Sequence, residues 1–160
     1  MMRKVFEILE NDARLTAEQV ATMAGVSEAE VKKIVAEAEK ERIIVKYKTM
    51  INWEKVGDDR VWAMIEVKMQ PQKDVGFDAL AERIYRFPQV RTVYLVSGTY
   101  DLAVFIVGKT MQEVGLFVSQ KLAPLEGIQG TVTHFLLKRY KEDGEILHPG
   151  GDDRRLPLSI

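Results

Sequence analysis

Val90-Arg91-Thr92-Val93-Tyr94-Leu95-Val96, then Ser97-Gly98-Thr99-Tyr100-Asp101, then Leu102-Ala103-Val104-Phe105-Ile106-Val107: this stretch decides the fold of the chain. Its flanks are β-branched, aromatic and apolar, the composition of strands, and a Gly-containing turn joins them, which predicts a β-hairpin. Gly98-Thr99 fits a two-residue loop with Gly at the first central position, where φ is positive and a Cβ would clash. A Gly there also leaves backbone N–H groups open to a carboxylate. A plain turn and an anion-accepting turn both fit the residues. For Asp101, two roles are open: partner to an ammonium group, or a turn residue bonded to nearby backbone.

Reading outward, the hairpin sits in a repeat. Val61, Ala63, Ile65, Val67 and Met69 alternate on one face of a strand, ended by Pro71. Phe77, Leu80, Ile84 and Phe87 recur at helical spacing before Pro88. After the hairpin, Thr110-Met111-Gln112-Glu113 reads as a capping box that opens a helix with Val114, Phe117, Val118 and Leu122 inward. A strand over 131–140 closes the pattern. Strand-helix-strand twice with a hairpin between predicts a ferredoxin-like βαββαβ domain over 61–141. Helices cover only one face of such a sheet. Trp62 and Met64 point to the other, so that face needs a cover as well. A second copy is the simplest cover, which predicts a homodimer through Trp62 and Met64.

The first fifty residues have helical periodicity. Val5, Ile8 and Leu9 form one short amphipathic stripe. Thr16-Ala17-Glu18-Gln19 and Ser27-Glu28-Ala29-Glu30 are capping boxes, with Gly25-Val26 breaking the chain between them. Val20, Met23 and Ala24 face the core in the first of these helices; Val31, Ile34, Val35 and Ala38 do so in the second. Two helices joined by a tight Gly turn form a helix-turn-helix, although any three-helix bundle needs similar pieces. The second helix would present Ser27, Glu28, Glu30, Lys32, Lys33 and Lys40 to DNA. Residues 1–50 carry nine Lys and Arg against nine Asp and Glu. Phosphate neutralisation favours a cationic excess, so binding should be weak per monomer and rely on multivalency. Val45, Tyr47, Thr49, Ile51 and Trp53 then alternate with polar residues, predicting a strand, and Gly57-Asp58-Asp59 marks a junction.

This order of elements, with Ser-Gly-Thr-Tyr-Asp-Leu at the central hairpin, resembles the leucine-responsive/asparagine regulator (Lrp/AsnC) family of transcription factors, over about residues 3 to 141. The resemblance implies an α+β protein with a winged helix-turn-helix over 1–50, a linker over 51–60, an effector-binding and oligomerisation domain of the RAM type over 61–141, and a tail over 142–160. It implies double-stranded operator DNA as a partner. It further implies a small-molecule effector, an amino acid in most of the family, held at Gly98, Thr99, Tyr100, Asp101 and Leu102. Assembly would go beyond the dimer, to an octamer for example. The linker strand would pair across the dimer; otherwise it edges the C-terminal sheet. The chain departs from the family where an Arg, a Leu and a Gly are usual on and after the recognition helix: Ile34, Ala38 and Arg42 stand there.

Composition narrows the remaining choices. The formal net charge is −1, so nothing pulls the whole molecule toward polyanions or membranes. There are no cysteines, which excludes disulfides and thiolate metal sites. The N-terminus has no signal-peptide pattern and no run is long enough to span a bilayer, so a cytoplasmic protein with no membrane partner is expected. No nucleophile motif, paired carboxylates or phosphate-binding Gly loop appears, so neither an enzyme nor a cofactor or metal is expected. The alternatives are a ligand-binding oligomer with little DNA binding, and an enzyme similar to siroheme decarboxylases, which would use His and basic residues around a tetrapyrrole. His134 reads as a core residue of the last strand and His148 as part of the tail. In the tail, Leu156, Leu158 and Ile160 alternate, which would suit a short added strand or an irregular terminus.

Overall fold

The computed structural model describes residues 1–70 and 76–148. The chain divides into two compact units, Met1–Ile51 and a second one from Asn52 onward. Pro71 and the alternation at Leu156, Leu158 and Ile160 lie outside the described residues.

The first unit is three helices: α1 (Met2–Asn11), α2 (Ala17–Ala24) and α3 (Glu28–Lys40). Both expected capping boxes form. The Thr16 hydroxyl accepts the Gln19 N–H at 3.2 Å while the Gln19 side chain accepts the Thr16 N–H at 2.8 Å. Ser27 and Glu30 repeat this at the start of α3. Gly25 ends α2 with φ 75°, the left-handed conformation that needs no Cβ. Val5, Val20, Ala21 and Val31 form the buried centre, with Ile8, Leu9, Leu15, Ile34 and Val35 packed round it. Met23, expected inside, is exposed, and Ala21 takes the buried position. A tight three-helix crossing admits the smaller side chain.

α3 ends differently. Ile43 donates to the Ala38 carbonyl at 2.8 Å and Arg42 to the Glu39 carbonyl at 3.2 Å. This is the Schellman pair of bonds, and it sets Arg42 at φ 57°. The strand expected over 45–53 is not formed within the chain: residues 45–52 have no ladder, and Trp53–Val56 is a 3₁₀ turn. An extended segment becomes a strand only by pairing, and no strand of the first unit offers an edge.

The second unit is a four-stranded antiparallel sheet in the order β2-β3-β1-β4 with two helices on one face. Its strands are β1 (Val61–Met69), β2 (Val90–Leu95), β3 (Leu102–Gly108) and β4 (Ile128–Leu136); its helices are α4 (Phe77–Tyr85) and α5 (Met111–Phe117). Alternation builds the core. Ala63, Ile65, Val67 and Met69 of β1 and Leu102, Val104 and Ile106 of β3 meet Leu80 and Ile84 of α4 and Val114, Phe117 and Leu122. Phe87 meets Phe117 edge to face with ring centroids 5.3 Å apart. Phe77, expected inward, lies in the first turn of α4 and is exposed. The Thr110 hydroxyl accepts the Glu113 N–H, but Glu113 reaches back to the Lys109 N–H, one residue before the expected partner.

The last strand is shifted from 131–140 to Ile128–Leu136, with a register shift at Lys68/Met69 of its neighbour. A short hairpin follows, β5 (Lys141–Glu142) and β6 (Glu145–Ile146). Its turn residues Asp143 and Gly144 both have positive φ, 47° and 85°, the conformation that Asp-Gly favours. The Leu147 N–H donates to Tyr140 and its carbonyl accepts from Asn52, which buries Leu147.

Candidate functional site

The loop between β2 and β3 is longer than the residues suggest. The closing bond runs from the Val96 N–H to the Asp101 carbonyl at 2.9 Å, so Ser97, Gly98, Thr99 and Tyr100 make a four-residue loop in place of the expected two. Gly98 has φ 134°, a region essentially closed to residues with a Cβ. Ser97, Gly98 and Thr99 are exposed and Tyr100 is half-buried. The N–H groups of these four make no backbone hydrogen bond among the described residues. Leu102 is buried in the core and serves packing.

Asp101 is tied down. Its carboxylate accepts the Met69 N–H at 2.7 Å, its own N–H donates to the Val67 carbonyl at 3.0 Å, and Lys68 Nζ lies 3.7 Å from the same carboxylate oxygen. A turn residue bonded to backbone was one of the two roles open from sequence, and here the backbone belongs to β1. An ammonium approaching this carboxylate would compete with Lys68.

Trp62 and Met64 alternate with the core residues of β1 and lie on the sheet face away from the helices. Their neighbours there are Val107 and Leu136 beside Trp62, and Phe105 and His134 beside Met64. Tyr94 meets Phe105 edge to face at 6.2 Å, and Tyr94, Val132 and Leu136 are exposed. These residues make a largely apolar sheet face, with the Arg139 guanidinium 5.4 Å from the centre of the Trp62 ring. His134, read as a core residue from sequence, stands on this outer face instead, with Nε2 3.0 Å from Glu66 Oε1. The register opposite Met64 decides this: His134 shares the parity of Val132 and Leu136.

On α3, all six residues expected to face DNA are exposed, but most are engaged. Ser27 and Glu30 are consumed by the cap, where the backbone N–H and then the hydroxyl of Ser27 hold the Glu30 carboxyl below its usual range. Lys32 pairs with Glu28 at 2.6 Å and Lys33 reaches Glu37 at 4.0 Å. Lys40, in the last turn, has no ion-pair partner among the described residues. A cleft of about 350 Å³ runs beside α3, lined by Leu9, Leu15, Val35, Ala36, Glu39 and Tyr47 among others. The Tyr47 hydroxyl donates to Glu39 at 2.8 Å across it. Periodicity on α3 could not show this contact, because Tyr47 comes from the stretch that follows the helix.

Among the described residues no group of His, Asp and Glu could hold a metal ion, and no helix is long and apolar enough to cross a membrane. His148 Nε2 lies 2.9 Å from Glu54, and its ring meets Tyr140 edge to face.

Residues 62–146 match the family model described as the Lrp/AsnC ligand binding domain. Across 98% of this chain and 95% of its own length, the HTH-type transcriptional regulator YugG of Bacillus subtilis is 49% identical. The HTH-type transcriptional regulator FL11 of Pyrococcus furiosus is 26% identical over 90% of this chain and 92% of its own. Two solved structures have the same fold. AsnC of Escherichia coli superposes with a TM-score of 0.68 at 20% identity, covering 88% of this chain and 93% of its own. The regulator NMB0573 of Neisseria meningitidis, solved as a complex with L-Met, does so at 0.70 and 22%, covering 88% and 90%.

Proposed function

This chain belongs to the Lrp/AsnC family of transcriptional regulators, and from that premise we propose that it binds operator DNA through α3 and responds to an amino acid taken up beside the β2–β3 loop. The observation that carries the DNA half is the capped pair α2 and α3 joined at left-handed Gly25, which leaves one side of α3 exposed along its length. Ser27 and Glu30 fix its start, and Glu28, Lys32, Lys33 and Lys40 face solvent. Operator binding pays off when two such helices act together, and the apolar outer face round Trp62 and Met64 supplies the means: two copies join through their sheets. Larger assemblies, an octamer among them, would be built from that dimer in the cytoplasm. We assign no reaction to the protein.

The effector half rests on the four loop residues Ser97 to Tyr100, whose N–H groups suit a carboxylate. Gly98 lets it approach, and Thr99 and Tyr100 flank it. Asp101 serves by anchoring the loop to β1. That NMB0573 was solved with L-Met makes α-amino acids the first ligands to try.

Selection from random duplexes with the full-length protein tests the first half. A twofold-symmetric enriched sequence is the expected result, and no enrichment overturns it. Melting in the presence of each of the twenty amino acids tests the second. A shift with a subset is expected, and identical melting with all of them removes the amino acid from this reading.

A further inference from the structure

The cations of the first unit are not equally available. Arg3 is held by Glu7, Arg14 by Asp12, Lys32 by Glu28 and Lys33 by Glu37, while Lys4 donates to the Ala24 carbonyl. Lys40, Arg42 and Lys46 have no anionic partner among the described residues, and all three are exposed. They fall within seven consecutive positions, at the last turn of α3 and just beyond it. The carboxylates nearby are partly taken: Glu37 faces Lys33 and Glu39 accepts from Tyr47, leaving Glu41.

Arg42 adds a second, independent sign. It is one of two non-glycine residues with positive φ among the described residues, and it closes α3 as Gly25 closes α2, by the same kind of left-handed turn. A side chain with a Cβ is strained there. Strain of this kind, kept at an exposed charged residue, points to a role for the charge. Favouring the negative end of the helix would not need it, since Lys40 already lies in the last turn without strain.

We infer that Arg42 and Lys46, together with Lys40, hold the DNA phosphate backbone where it passes the C-terminal end of α3, and that they supply more of the electrostatic binding than Lys32 and Lys33. The guanidinium suits phosphate by its paired donors. Lys32 and Lys33 each stand beside a glutamate of the same helix, at 2.6 and 4.0 Å, so less of their charge is left for phosphate. This inference rests on the DNA-binding reading above.

The test uses the full-length protein, the duplex enriched by wild type and a scrambled duplex of equal length. Arg42→Gly should raise the unfolding midpoint and weaken binding to both duplexes by the same factor, on the order of threefold to tenfold, with the salt slope reduced by about one per bound protomer. Lys46→Gln should weaken binding likewise without raising stability. Arg42→Lys should restore most of the affinity, and Lys32→Ala should change it less than Arg42→Gly does. If wild type binds but Arg42→Gly and Lys46→Gln bind as tightly with the same salt slope, this inference is overturned and the DNA-binding reading stands. A fall in midpoint for Arg42→Gly also overturns it, by making Arg42 structural. If wild type enriches and binds no duplex, both readings fall together.

Discussion

The carboxylate of Asp101 accepts the backbone N–H of Met69 at 2.7 Å, bridging the end of the β2–β3 loop to the end of β1. Met69 is buried, so no water replaces that acceptor without cost. Asp101→Ala should therefore destabilise the domain by about 1–2 kcal/mol, whereas Asp101→Asn, which keeps an acceptor oxygen, should cost well under half of that. Urea unfolding of the two variants measures the difference. Lys68 contributes little to it, since the pair is partly exposed. Asp101→Asn should also keep any amino-acid-dependent melting shift; losing the shift while keeping stability would return the carboxylate to the ligand.

Gly98 has open space where a Cβ would stand, yet its φ is 134°. The penalty of Gly98→Ala is thus all backbone, on the order of 1–3 kcal/mol. A loop that relaxes to negative φ to escape it would turn its N–H groups to new directions. Calorimetry should show a lowered midpoint, and titration with amino acids should show a smaller shift than wild type gives.

Replacing Trp62 or Met64 by Lys puts a charge in the middle of the proposed sheet-to-sheet contact. Burying a large apolar side chain is worth roughly 1.5–3 kcal/mol, and an unpaired charge in its place costs more. Sedimentation at micromolar concentration should give a dimer or larger for wild type and a monomer for either variant. A wild-type monomer would remove the interface.

Asp12 titrates at about 2 instead of its ordinary 3.8, chiefly because its carboxylate takes the Arg14 side-chain hydrogen bond, and then the Arg14 backbone N–H. A depressed carboxyl stabilises the fold above its unfolded value, and the contribution fades as pH falls through about 2. Carboxyl NMR should place the Asp12 midpoint near 2, and Arg14→Gln should return it toward 3.8. A midpoint already at the ordinary value in wild type would mean that the pair does not form in solution.

Much of the fold was legible because period and capping agreed. Thr16, Ser27 and Thr110 each announced a helix start, and alternation along β1 separated Ala63, Ile65 and Val67 from Trp62 and Met64. What escaped depended on pairing. The face that His134 takes is set by which residue of β1 it opposes, and the loop after β2 lengthened because Val96 and Asp101 close it, where a two-residue loop would close on Ser97 and Tyr100. The segment after α3 alternates well enough for a strand, but alternation cannot supply an edge. The Asp143-Gly144 turn was in plain view as a hairpin signal, yet its flanks are only two residues long and lack the apolar runs that mark strands. At the candidate site, exposure on α3 was readable from its stripe. Which charges are already engaged was not, since an i,i+4 pair and a free lysine look the same in sequence until the side chains are placed.

The pairing of charge along α3 has a consequence for how DNA is found. Glu28 with Lys32 and Glu37 with Lys33 are close dipoles, and their fields die within a Debye length of about 8 Å at physiological salt. With a formal net charge of −1, the chain adds no long-range pull of its own. What pull there is comes locally from Lys40, Arg42 and Lys46, and it too is screened over that same distance. Discrimination must then fall on residence time. In the proposed dimer, departure would require both heads to let go, so dwell would lengthen over that of a single head.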